Sequence, residues 1–240
     1  MIKEESRLSH LCARQHLILE RIQRRETRPS TGGINDQVTD TVNTSNVDSC
    51  EVTSQLQTRL AAELQSKGIA HKFIRVPADY YDWDLESRRA CLQAESTQHL
   101  CKSIVMENTK LAEPLPGLSK YYCVIVQYVA RLHAEKLKRH LYQAHKAAGG
   151  ALGTKAFNMR LCPEEVSNSL TGFEHNAVSP VGIATPDMPI VLSDRIVKQL
   201  QGSDSFMWLG GGEVDLKLGF LVGDFIIGYS PLIVDCTHDE

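Results

Sequence analysis

At 240 residues, with 42% of them hydrophobic, 23% charged and a formal net charge of −3, the chain has the composition of a folded domain with an appendage. That excludes a collagenous or wholly disordered chain and a protein that coats nucleic acid by bulk positive charge. Its longest apolar runs, YYCVIVQYV from residue 121 and DFIIGYSPLIV from residue 224, fall well short of the roughly 20 residues a membrane-spanning helix requires.

In chain order, Leu8, Leu11, Leu17, Ile18 and Ile22 recur among charges with a loosely helical period, which predicts a helical extension over residues 1–26. Its early glutamates and lack of an apolar stretch argue against a secretory leader, while its arginines keep an organellar transit peptide open as the alternative to a cytoplasmic location. Residues 27–49, rich in Thr, Asn, Asp, Gly and Ser, read as a flexible linker, so the main domain is expected over residues 50–240. There, Leu56, Leu60 and Leu64, followed by Gly68, predict an amphipathic helix with a glycine stop. A strand at IAHKFIRV, a short helix at LESRRACLQAE and a strand at HLCKSIVM follow, the last placing Lys102 at its start. YYCVIVQYV is too continuously apolar for an edge strand, and the charged helix AEKLKRHLYQAH comes after it. PEEVSNSL opens a helix with proline and two glutamates. Strands are expected near residues 189–192, 206–209 and 216–220, and a final helix or strand near 224–227. The sum is an α/β domain with a mixed sheet.

Charge is unevenly spread: residues 100–160 carry ten basic side chains against three glutamates, and residues 161–240 reverse the balance. The basic middle is either a solvated helix face or a local track for a polyanion such as RNA. Seven cysteines are scattered and never fall in a CxxC arrangement, which fits a reducing compartment. No HxxxH or HExxH exists, and His140 and His145 are five apart on one helix, so no metal site is expected. GGALGTK at residues 149–155 is one residue short of a phosphate loop and follows no strand, so it reads as a loop; a nucleotide-binding enzyme built on Lys155 is the weaker alternative.

Two segments read together say more. QHLCKSIVM (residues 98–106) and TGFEHNAVSPVG (residues 171–182) resemble the YbaK/ProX family of aminoacyl-tRNA editing domains associated with prolyl-tRNA synthetase. That family has a lysine in a K[TS]-apolar-apolar strand, then a TG-aromatic segment running into a GxxxP-type loop with SP and an apolar-Gly pair. This chain supplies Lys102-Ser103-Ile104-Val105, Thr171-Gly172-Phe173 and Val178-Ser179-Pro180-Val181-Gly182, and Gly211-Gly212 stands where the family has a glycine turn after a late strand. The resemblance covers residues 51–229. One departure is clear: Asn176 stands where the family's loop begins with glycine, and asparagine is the side chain best able to keep a positive-φ path.

The resemblance implies the editing-domain fold, a mixed and mostly antiparallel sheet with surrounding helices. It also implies a trans-acting deacylase that hydrolyses the ester of a small amino acid, Ala or Cys, mischarged on proline tRNA, with no cofactor or metal. Such an ester is already activated, so positioning and electrostatic stabilisation suffice. Lys102 would be the catalytic cation. Gly172, His175, Asn176, Ala177, Val178, Ser179, Pro180, Gly211 and Gly212 would form the substrate site, with His175 either a ligand contact or a solvent-facing loop residue. The implied partners are the acceptor end of aminoacyl-tRNA and a synthetase, with no membrane contact. The alternative is a non-catalytic tRNA- or synthetase-binding module that retains the pocket.

Overall fold

A computed structural model describes residues 53–200 and 206–238 of the chain; the helix expected over residues 1–26 and the linker over 27–49 lie outside them. Helix α1 (Gln55–Ser66) starts where the Ser54 hydroxyl accepts the Gln57 N–H at 3.0 Å and stops before Gly68, which turns at φ +68°. Strand β1 (His71–Arg75), helix α2 (Leu85–Cys91), strand β2 (Cys101–Asn108) and strand β3 (Tyr121–Gln127) follow. Then come α3 (Ala134–Ala147), β4 (Met159–Leu161), α4 (Glu164–Thr171), β5 (Ile190–Ser193) and α5 (Asp194–Leu200), and finally β6 (Met207–Gly210), β7 (Leu216–Phe220), α6 (Val222–Tyr229) and β8 (Leu232–Val234).

The strands make two sheets, ordered β1-β7-β6 and β4-β2-β3-β5-β8. β3–β5 and β5–β8 are parallel pairs; the other four are antiparallel. β3 is central, as its uninterrupted apolar run predicts. One face of the larger sheet packs Val124 and Val126 against Leu137 and Leu141 of α3; on the other, Ile125 joins Leu60 and Leu64 of α1, Ile196 of α5, Leu218 of β7 and Phe225 of α6. Covered on both faces, residues 123–126 of the strand are all apolar, and the buried Gln127 at its end donates to the Gln98 carbonyl and the Gln199 side chain.

The undecided segment near residues 224–227 is the helix α6. Three elements have no counterpart in the sequence reading: β4 and β8 are three residues each, and the seven-residue α5 follows β5 without a turn. Such short pieces carry too few residues for a period to show and are held by their neighbours. No helix among the described residues is long and apolar enough to cross a membrane. The 149–155 segment follows a helix and contains a single short 3₁₀ turn, Thr154–Ala156, as a loop reading expects.

Candidate functional site

The site grows from a stretch of β2 that one sheet leaves uncovered. β2 pairs with β3 along its length but with β4 only at Met106, Glu107 and Asn108. On that side a lone bridge joins Leu100 to Trp208 of β6, and the Cys162 N–H reaches the Val105 carbonyl at 2.9 Å. Tyr128 N–H donates to the Leu100 carbonyl and Asn108 N–H to that of Lys120. Even-numbered residues of β2 therefore direct their backbone groups at β3, and those of Ser103 face the open side. Ser103 is 8% exposed, and its buried hydroxyl has no hydrogen-bond partner among the described residues. An orphaned buried hydroxyl costs about 1–3 kcal/mol, which a polar ligand placed over the gap would relieve.

A cavity of about 450 Å³ lies over this edge. Residues 101–105 and Tyr128 line it from the sheet, Leu161, Cys162, Glu164, Ser167 and Asn168 from β4 and α4, and Tyr81, His175, Asn176, Val178 and Gly210 from the opposite wall. Half-buried Lys102 places its ammonium 5.5 Å from the centre of the Tyr128 ring, and no carboxylate pairs with it among the described residues. It is a cation held by an aromatic face and left open to an anionic or electron-rich ligand.

The 175–178 wall follows from the end of α4. Gly172 caps that helix in the left-handed region, φ +76°, and the fully buried Thr171 hydroxyl accepts the Phe173 N–H at 3.2 Å, turning the chain back over the sheet. Asn176 takes φ +66°, in the left-handed region that asparagine tolerates better than other non-glycine residues. Its N–H donates to no group among the described residues. Gly212 N–H donates to the Ala177 carbonyl at 3.0 Å and the Tyr81 hydroxyl to the Asn176 carbonyl at 2.5 Å. At Gly210 a Cβ would stand 2.7 Å from the Val178 carbonyl oxygen, so only glycine lets β6 approach the wall this closely.

Of the residues singled out from sequence, Lys102, His175, Asn176 and Val178 come together on the cavity. Gly172, Ala177, Ser179, Pro180, Gly211 and Gly212 are not on its lining: Gly172 is a helix cap, Ala177, Ser179 and Pro180 are buried, and Gly211 and Gly212 form the turn from β6 to β7 that bonds Ala177. Gly210, one residue earlier in the same triplet, is the lining glycine. Ser103 stood beside Lys102 in the motif without a role. Tyr81, Tyr128 and the face of α4 carried no local signal, because nothing near them in sequence marks the gap they border.

The two cavity thiols are poor nucleophiles: burial pushes Cys162 up to about 11, with Glu107 adding to the shift, and raises Cys101 further. Iodoacetamide at pH 7.5 should therefore leave both unmodified in the folded protein and modify both after denaturation, as peptide mass mapping would read. Labelling of folded Cys162 at the rate of a free thiol would contradict this. The five described cysteines are all unbridged, and no cluster of metal-ligating side chains occurs among the described residues. Part of the basic middle is neutralised by ion pairs, Lys136 with Asp235 and Lys138 with Glu135. Lys110, Lys138 and Lys155 border a second, open hollow of about 480 Å³.

No family model matches the chain, and no curated protein does. Solved structures share its fold. A proposed trans-editing enzyme for prolyl tRNA synthetase matches with a TM-score of 0.55 at 20% identity, over 78% of this chain and 99% of that one. The hypothetical protein APE2540 matches with 0.55 at 15% identity over 75% and 99%, and a scaffold protein from computational epitope grafting with 0.54 at 18% over 78% and 99%.

Proposed function

We propose that this domain is an aminoacyl-tRNA deacylase acting in trans on the ester of a small mischarged amino acid, alanine or cysteine on proline tRNA. The observation that carries the reading is Lys102: a cation without a carboxylate partner, at the uncovered edge of β2, facing a wall whose Asn176 keeps the left-handed turn. The shared fold of a structure described as a proposed trans-editing enzyme supports it.

In this reading the ester carbonyl lies between Lys102 and the 175–178 wall. A water molecule attacks the acyl carbon, the bond to the ribose oxygen breaks, and the ribose oxygen leaves with the proton the water gives up, a tRNA hydroxyl being able to orient that water. Lys102 offsets the charge that develops on oxygen, and the unpaired Asn176 N–H is a candidate second donor. The Ser103 hydroxyl and its backbone groups are available to the polar part of the aminoacyl group. Lys110 and Lys155 would meet phosphates of the acceptor stem, a synthetase is the second proposed partner, and the free thiols suit a cytoplasmic setting.

The test is loss of the ester from Ala-tRNA and Cys-tRNA charged on proline tRNA, with the Lys102→Ala variant alongside. Clearance by the wild type alone supports the reading. No clearance above buffer moves the chain to the alternative, a binding module that retains the pocket.

Acyl size is a separate prediction. Asn176 fills space on the lining that glycine would leave empty, so Asn176→Gly should widen the pocket at little structural cost, within about 1 kcal/mol, since glycine accepts φ +66° freely. The rate ratio of a valyl to an alanyl ester should rise about tenfold. An unchanged ratio would remove Asn176 from size selection.

A further inference from the structure

We propose that Lys217 and Tyr81 are positioning residues for the cavity wall, a relay from the buried central strand of the small sheet that fixes the Asn176 carbonyl.

Lys217 is the second residue of β7, the central strand of the small sheet, paired with Ile74 of β1 and Gly210 of β6, and is 3% exposed. A lysine is almost never so buried without a carboxylate, yet none lies within ion-pair distance of it among the described residues. Its ammonium donates instead to the Tyr81 hydroxyl at 2.6 Å and the Val214 carbonyl at 2.9 Å, and stands 4.3 Å from the Tyr81 ring centre and 5.2 Å from that of Tyr80. The other charged groups around it are accounted for. Arg88 of α2 donates to the Tyr81 carbonyl and lies over the same rings, and Asp215, in the turn before β7, pairs with Arg75 of β1, which also holds Glu213.

Hydrogen-bond direction gives this arrangement its consequence. An ammonium can only donate, so the Tyr81 oxygen accepts from Lys217 and its single proton must go elsewhere. It goes to the Asn176 carbonyl at 2.5 Å, and the Tyr128 hydroxyl, a further titratable group facing the phenol, is its remaining hydrogen-bond neighbour. Lys217 thereby selects the rotamer in which Tyr81 holds the one non-glycine residue of the wall with positive φ. Burial lowers the lysine to about 8, with Arg88 acting in the same direction against Asp215; a neutral amine could accept the phenol proton and release the carbonyl. Tyr81 also lines the cavity, so the relay ends where a ligand would sit.

As a statement about catalysis this rests on the deacylase reading; as a statement about the wall it does not. The experiment compares wild type, Tyr81→Phe, Lys217→Met and the double variant by amide hydrogen exchange at pH 7. The readout is Ala177 and Gly212, whose N–H groups are bonded within and to the wall. Tyr81→Phe should speed their exchange about tenfold and Lys217→Met by a smaller factor. The double variant should match Tyr81→Phe alone, since the lysine acts through the phenol. Unchanged exchange in Tyr81→Phe, or additive effects in the double variant, overturns the relay. On the mischarged ester the same order should appear in kcat; if the wild type does not hydrolyse it, the deacylase reading fails and the exchange result still decides the relay.

Discussion

Lys102→Ala is expected to slow ester hydrolysis by about 10²–10³-fold, the usual loss when one preorganised electrostatic donor is removed from a site of this kind. The same change should leave the fold nearly untouched. Lys102 is half-buried, has no ion pair among the described residues and holds only the Tyr128 face, an interaction worth about 0.5–1 kcal/mol. A structural lysine would behave in the opposite way, costing stability and sparing the rate that remains per folded molecule. Lys102→Arg refines the result: the longer planar guanidinium keeps the charge but moves it relative to the ester oxygen, so most of the loss should persist. Full activity in Lys102→Ala would remove the central residue of the proposed mechanism.

Lys217→Met is expected to make the protein more stable at pH 7, by about 1–2 kcal/mol, while loosening the cavity wall. A lysine held at about 8 in the native state against 10.5 unfolded carries a burial penalty of about 3 kcal/mol at neutral pH. Lost hydrogen bonds to Tyr81 and Val214 offset part of the gain. The sign with pH follows: the penalty is fully present below about 8 and fades as pH rises toward the unfolded value, because the native state sheds the proton first. From pH 7 to 9 the wild type should therefore gain about 1 kcal/mol from this group, and Lys217→Met should lack that gain. The difference between the wild-type and Lys217→Met denaturant melts at those two values measures it, because the buried thiols, raised in the native state, cost both proteins the same stability over that range. Staying at pH 9 or below avoids ionisation of tyrosines in the unfolded chain, which Tyr80 and Tyr81, buried and pushed well above their ordinary range, would turn into lost stability. A Lys217→Met protein less stable than wild type at pH 7 would show that its hydrogen bonds outweigh desolvation.

The opposed directions in these two results reflect where each lysine stands. Lys102 is visible in sequence because it opens a strand inside a motif, and its position at the start of β2 is where the apolar period placed it. Lys217 in LKLGF reads as the wet face of a half-exposed strand. It is buried because Tyr80, Tyr81 and Trp208 cover that face of the small sheet, while Leu216, Leu218 and Phe220 fill the other.

The main helices and strands were legible because their apolar residues repeat at 3.6 or 2, or run unbroken where both faces are covered, as in β3. The positive-φ turn at Asn176, the helix stop at Gly68 and the strand-start lysine were set the same way, by preferences that act within a few residues, whereas Gly172, read as a substrate residue, is a helix cap. What the tertiary structure alone decided is which groups share the cavity. The short pairing of β2 with β4 leaves Ser103 facing a gap, the approach of β6 makes Gly210 rather than Gly211 or Gly212 the lining residue, and the covering of β7 turns Lys217 inward. These depend on contacts between residues from 32 positions apart, Val178 and Gly210, to 136 apart, Tyr81 and Lys217, and no local preference encodes which strand edge stays open or which face a distant segment will cover.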